Sequence, residues 1–336
     1  MASRVAGEKI GNKKGKNMKN KIENAQSNFR TSASRKSQLG LLAVVAIFML
    51  TCSFAISASA ASWTAIKTSP AGRTMAGIQA GSAEMWGHDS SGNGYLYNNA
   101  TLTLVETTTS PAIAELAVGE GKTLFVLDPS DNVYQYDFKT KSFLIVPGAT
   151  LTTIGSGEEG TWGVDSSTGH VYVYVAKTNS FNPPPNGEPS EKFQTISAGN
   201  FAIGPWALDG SGNAWLYNSN TDFFDETSGT TLVQISVGEG EAWGVDSSGA
   251  VWEYVTTSEK WMQPEPGAVL RNVAVGNNSN IWGVTTSGEI YKFNVKKLKF
   301  ELVSPQPPEA IDRIRVSDGG AGIFVLANSG NVYKYQ

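Results

Sequence analysis

After about residue 60 the chain alternates short apolar, β-rich runs with polar turns. No window beyond Ala61 places apolar residues at helical spacing, and Gly or Pro interrupts nearly every one. The clearest unit runs from Gly238 to Tyr254. In it an apolar run ending in Trp243-Gly244-Val245 is followed by Asp246-Ser247-Ser248-Gly249 and then by a second run with Val251, Trp252 and Tyr254. An Asp and a Gly between two apolar runs is turn chemistry, so the centre of the unit is predicted to be a hairpin. The glycine reaches positive φ without a Cβ clash, and Asp131, which stands in its place in one copy, belongs to the residue types that tolerate that conformation. A short run ending in Gly81, Gly238 or Gly276 precedes the hairpin, and an aromatic-led run such as 143–146 or 261–263 flanks it. The pattern therefore predicts four strands per unit.

The unit recurs. Its first large aromatic stands at Trp86, Phe125, Trp162, Trp206, Trp243, Trp282 and Phe324, with spacings of 39, 37, 44, 37, 39 and 42 residues by subtraction. That period is the one expected of propeller blades. A second aromatic follows nine residues later in six copies and ten later in the third, at Tyr172. The expected fold is all-β, a seven-bladed β-propeller of four-stranded blades formed by residues 61–336. The domain opens on an outer-strand run at 63–66 and finishes on a third-strand run at 333–335, so the N-terminal strand is expected to close the ring and cover two exposed edges. The largest spacing contains the proline-rich insertion 182–189, which reads as an extended surface loop.

The motif Ile-Ser-Val-Gly-x-x-x-x-Trp-Gly-Val-Asp-Ser-Ser-Gly-x-Val-Trp-x-Tyr, often preceded by Pro-Gly as at Pro147-Gly148 and Pro266-Gly267, resembles the tectonin β-propeller repeat. The similarity extends from Ser62 to Gln336. It is strongest at Trp162-Gly163-Val164-Asp165, Trp243-Gly244-Val245-Asp246 and Trp282-Gly283-Val284-Thr285, and weakest where Phe125-Val126 and Phe324-Val325 replace the Trp-Gly pair. The resemblance implies a lectin-like binding module that recognises surface glycans, including methylated sugars. Physical reasoning offers a second role for the Trp-Gly pair. Adjacent strand residues face opposite ways, so each Trp would cover one face of its sheet, while the Gly leaves a hole for a large side chain from the neighbouring blade.

Composition adjusts this picture in three places. The first sixty residues hold ten of the 26 basic and two of the 30 acidic residues; the remainder has 16 basic and 28 acidic, a net charge of −12. That sign disfavours a nucleic-acid partner. The single cysteine, Cys52, lies outside the repeats, so no disulfide supports them and stability must come from packing. Residues 39–56 form a nearly continuous apolar run behind a basic stretch, and Ala58 and Ala60 suit a signal-peptidase site. A leader cleaved after Ala60 is expected, giving a secreted or extracytoplasmic protein. The alternative keeps 39–56 as a membrane anchor with its basic side in the cytoplasm.

Catalytic chemistry has little to build on: His88 and His170 are the only histidines, and no acid–base constellation stands apart from the turn carboxylates. His88 replaces the branched apolar residue found in other copies and reads as a hydrogen-bonded strand residue. One carboxylate per turn falls short of the six to eight oxygens that calcium takes, so neither a metal nor a cofactor is expected. The candidate ligand-binding residues are the hairpin carboxylates Asp89, Asp165, Asp209 and Asp246, which could accept from sugar hydroxyls, and the aromatics Trp86, Trp162, Trp206, Trp243 and Trp282, which could face sugar C–H surfaces or form the inter-blade core. Surface glycans are the expected partners. A protein-binding scaffold is the alternative, and a propeller lyase or glycoside hydrolase the third reading.

Overall fold

The structure is a computed structural model, and it describes residues 61–185, 191–199, 203–238, 240–277, 280–317, 319 and 321–336. The expectations for the basic segment, the leader with its cleavage after Ala60, Cys52 and the centre of the proline insertion lie outside the described residues. All of those described belong to one compact unit of the chain, Ser59–Gln336.

The described residues hold strands and no helix. They pair in successive four-stranded antiparallel units. The first comprises Met75–Ala80, Met85–Asp89, Gly94–Asn98 and Thr103–Thr108. The second and third share one long strand, Ser142–Gly157, which pairs at its start with Asn132–Asp137 and at its end with Gly160–Asp165. The fourth, fifth and sixth begin at Phe193–Ser197, Gln234–Val237 and Asn272–Val275. In the last unit Ile311–Val316, Ile323–Ala327 and Val332–Tyr335 are joined by the chain's first strand, Trp63–Ser69. Trp63 stands opposite Tyr335 and Ile66 opposite Val332, antiparallel. Further along, the same strand runs parallel to the outer strand of the first unit, with Lys67 opposite Thr103. One strand thus hydrogen-bonds to both the last unit and the first, so neither edge is left unpaired along those residues.

Local chemistry explains each unit. At the central hairpins Gly92, Gly212, Gly249, Gly288 and Gly330 take φ of 81° to 87°, and Asp131 takes the same left-handed conformation at 65°. The hairpin backbone carbonyl then accepts from the chain entering the next unit: Ile113 N–H donates to Gly92 O, Leu232 N–H to Gly212 O, and Leu270 N–H to Gly249 O. Met75 N–H, in the first unit, donates likewise to Gly330 O in the last, at 2.8 Å. The glycines that end the inner strands serve close approach instead. A Cβ on Gly238 would stand 2.5 Å from Gly276 O, and one on Gly276 2.5 Å from Val316 Cγ1, so only glycine lets neighbouring units meet near the axis.

The core lies between units. Each first-hairpin aromatic packs on a third-strand aromatic of the following unit, with ring centroids at 5.1 Å for Trp86–Tyr136, 4.8 Å for Trp162–Tyr217, 4.7 Å for Trp206–Tyr254, 4.8 Å for Trp243–Phe293 and 5.2 Å for Trp282–Tyr335. Phe324 of the last unit packs on Tyr97 of the first at 5.1 Å. The Trp thus serves the inter-unit core, but the hole beside it is filled differently from the expectation. The residues that a Cβ on Gly163, Gly244 and Gly283 would strike are Leu151, Leu232 and Leu270, which enter the same unit rather than a neighbouring one. The reason is positional: the inner strand of the unit is hydrogen-bonded directly beside the Trp-Gly strand, so its first leucine reaches the glycine before any side chain across the inter-unit gap can.

Candidate functional site

The hairpin aspartates are turn caps. Asp89 is buried, and its carboxylate accepts from Ser91 N–H at 2.9 Å, Asn93 N–H at 3.0 Å, Asn93 Nδ2 at 2.9 Å and the Tyr95 hydroxyl at 3.0 Å. Asp209 takes the equivalent donors, with Trp215 Nε1 in place of the tyrosine at 3.2 Å, and Asp246 accepts from Ser248, Ala250 and Trp252 Nε1. Asp165 holds its turn through Ser167 and Thr168. Burial works against ionisation of Asp89, but these hydrogen bonds outweigh it and hold the carboxyl below its usual range. The second aromatic of four repeats is therefore explained: Tyr95, Tyr134, Trp215 and Trp252 carry the donor that completes the cap.

The five candidate tryptophans are core residues with 0 to 4% of their surface exposed, so none offers a ring face to a ligand in this conformation. Their indole N–H groups differ. Glu84, Glu241 and Asn280, each two residues before its Trp, accept from Trp86, Trp243 and Trp282 at 3.2, 3.2 and 2.8 Å. Gly160 and Gly204 occupy the corresponding positions before Trp162 and Trp206, and those two N–H groups have no partner within the described protein.

Two recesses stand out among the described residues. The larger is axial, about 640 Å³, and is walled by the inner strands of all the units. Its polar groups are uneven around the axis. Gln234 and Asn272 are used as seams: Gln234 Oε1 accepts from Val273 N–H at 3.0 Å, and Asn272 Oδ1 from Ile314 N–H at 3.3 Å. Glu115 accepts at one oxygen from Thr153 Oγ1 and Ile154 N–H, and burial pushes its carboxyl up. Across the wall stand Arg313 and Arg315, with His88 beside Gly77. His88 Nδ1 lies 3.2 Å from Asp89 O, which matches the hydrogen-bonded strand histidine expected, and burial pushes its pKa down.

The smaller recess, about 490 Å³, follows the seam between the fourth and fifth units. Tyr217 and Tyr254 line it together with Glu159, Asn218, Glu226 and Thr227. Burial, reinforced by neighbouring Glu158, pushes the Glu159 carboxyl up. Sequence reasoning singled out none of these residues. The available signal was the aromatic-x-aromatic alternation of the third strands, as in Trp215-Leu216-Tyr217 and Trp252-Glu253-Tyr254, where the second ring meets the Trp of the preceding unit. Among the described residues, no group of three or more His, Cys, Asp or Glu could hold a metal ion, and no helix is long and apolar enough to cross a membrane.

The solved structures that the chain resembles are propellers. The structure of U3-55K superimposes with a TM-score of 0.61 at 10% identity, covering 81% of this chain and 98% of that one. The RRP9 WD40 repeats give 0.59 at 11% identity, covering 82% and 100%, and YCF48 from Cyanidioschyzon merolae gives 0.61 at 13%, covering 82% and 98%. At such identities the likeness speaks for the fold alone. No curated protein sequence matches the chain. The family model for the Tectonin domain matches residues 73–222 and 192–305, which takes in six of the seven first-hairpin aromatics and both recess-lining tyrosines. On the strength of that match, and of strands that pair as its repeats require, the chain belongs to the tectonin family of β-propellers.

Proposed function

We propose that the protein is a carbohydrate-binding propeller that recognises surface glycans multivalently outside the cytoplasm. The observation that carries this reading is the seam between the fourth and fifth units, where Tyr217 and Tyr254 adjoin Glu159, Asn218, Glu226 and Thr227 in a recess of about 490 Å³. Sugars need apolar surface for their C–H faces and acceptors or amides for their hydroxyls, and this lining supplies both. A methylated hydroxyl would add apolar contact against the tyrosines. Equivalent, partly exposed tyrosines recur at other seams as Tyr174 and Tyr335, so a glycan displayed many times would gain by avidity over the free sugar. The apolar run 39–56, read as a leader cleaved after Ala60, supports export.

A glycan array probed with the full chain, followed by Glu226→Gln, tests the reading. The array should identify a sugar class, and the substitution should weaken its binding about tenfold or more, the loss of one charge-assisted hydrogen bond. The second reading, a protein-binding scaffold, draws on exposed apolar side chains along the outer strands, among them Leu144, Ile145, Met262 and Leu302. Absence of binding to any sugar, alongside tight capture of one protein partner, would replace the first reading with the second.

A further inference from the structure

The axial cavity is distinct from the seam, and its two cations, Arg313 and Arg315, come from one unit, while Glu115, Glu120 and Glu158 line it from two others. Strand alternation over Ile311–Val316 buries Ile314 and Val316 between units and turns Arg313 and Arg315 to the cavity. Arg313 Nε donates to Asp312 Oδ2 at 2.7 Å, and the same carboxylate pairs with Arg271 at 3.4 Å. Two guanidinium groups, those of Arg271 and Arg313, therefore share one carboxylate. Among the described residues no ion pair reaches Arg315, which instead donates from Nε to Gln79 Oε1 at 2.6 Å and from Nη1 to Ile314 O at 3.0 Å. These bonds use two of its five N–H donors and none of its charge.

The tie to Gln79 joins the last unit to the first, but a seam at this level needs no cation. Neutral Gln234, Ser236 and Asn272 tie the fifth, sixth and seventh units through the same kind of inner-strand bond. Burial, with Arg313 close by, pushes Arg315 down to about 10, against the opposing field of Asp312 and Glu115, neither of which forms an ion pair with it. Facing it are acceptors. Glu115 has a carboxylate oxygen beyond the one serving Thr153 and Ile154, and His88, donating from Nδ1 to Asp89 O, leaves Nε2 as an acceptor over Gly77.

We propose that the axial cavity is a second site, which binds a hydroxylated organic anion of acidic-sugar size, its carboxylate or phosphate on Arg313 and Arg315 and its hydroxyls on Glu115 and His88. A volume of about 640 Å³ accommodates such a molecule. The guanidinium forks match either oxyanion bidentately.

The test is thermal melting and calorimetry of the full chain with galacturonate, galactose 6-phosphate and neutral galactose, at constant ionic strength set with sodium chloride. At least one of the acidic sugars should raise the melting temperature and bind about tenfold or more tightly than galactose, and the two together distinguish a carboxylate from a phosphate requirement. Arg315→Met and Arg313→Gln should each abolish the rise, and unliganded Arg315→Met should melt no lower than the parent because it removes a buried charge. Glu226→Gln at the seam should leave the effect unchanged, which separates this site from the glycan site. The proposal falls if neither acidic sugar binds, if galactose binds equally, or if binding survives Arg313→Gln. A poorly folded Arg315→Met protein, together with unchanged binding by Arg313→Gln, would assign the charge to structure and overturn it as well.

Discussion

Leu298 sits in the turn between the third and fourth strands of its unit with φ of 51°, and Leu102, Lys141, Asn179, Asp222 and Glu259 take the same conformation in equivalent turns. Left-handed backbone costs a residue with a Cβ roughly 1–2 kcal/mol, whereas a glycine there gives back part of the gain through its freer unfolded chain. Leu298 is 59% exposed and loses little packing when removed. Leu298→Gly is therefore expected to stabilise the protein by about 0.5–1 kcal/mol, measured by urea denaturation; a loss of stability would mean that the side chain holds the turn. His88 makes the second residue-scale prediction. Its pKa is lowered in the fold from about 6.5, so below that pH the unfolded chain binds more protons and stability falls as pH drops towards the folded value. His88→Val, which restores the branched residue of other copies, should flatten the fall in melting temperature between about pH 7 and 5. An unchanged slope would place the acid sensitivity elsewhere. Asp131 was legible at this scale because the residue type itself tolerates left-handed backbone. Leu102, Lys141 and Glu259 were not, because nothing in those side chains favours the conformation; strand pairing on either side imposes it.

At the scale of the element, the repeat works by giving each unit an incomplete face. Trp243 covers the seam towards the sixth unit, where Phe293 meets it at 4.8 Å and Phe300 at 6.1 Å, and Glu241 accepts from its indole at 3.2 Å. Trp243→Ala removes a side chain that is 1% exposed and leaves a cavity that the paired strands cannot close. The expected cost is ~3–5 kcal/mol by chemical denaturation. A variant of unchanged stability that lost only ligand binding would return the tryptophan to the role of a sugar platform. The hairpins were legible because turn residues and apolar alternation act over a few residues. The partner of each Trp was not, since the Phe or Tyr that meets it lies about fifty residues further on and is recognised only once two units face each other.

For the whole molecule, stability rests on the joining of last unit to first. The strand Trp63–Ser69 pairs with Val332–Tyr335 on one side and Thr103–Val105 on the other. Arg315–Gln79, Ser317–Gly81 and Met75–Gly330 hydrogen bonds cross the same junction. Deleting residues 62–70 would uncover the edges of two units and remove Trp63, which packs at 4.9 Å on Tyr335. The melting temperature should drop sharply and aggregation rise, read by circular dichroism and light scattering. A truncated protein that melts with the parent would show that the junction holds without this strand.

The sequence by itself determined the repeat, its four strands and the turn that each Asp and Gly makes, because those depend on side-chain alternation and backbone preference within a single unit. It also placed the opening strand beside the closing one, since an outer strand was missing at the end and spare at the start. Tertiary structure alone decided which groups meet at the axis and at the seams. The axial wall takes residues from every unit, so Glu115, Arg313 and Arg315 line one cavity although some two hundred positions separate them, and they read in sequence as isolated charges. The same holds for Tyr217 and Tyr254, ordinary strand aromatics until the neighbouring unit folds against them. It holds in reverse for Asp246, whose carboxylate looked free for a ligand until the fold supplied the donors that occupy it.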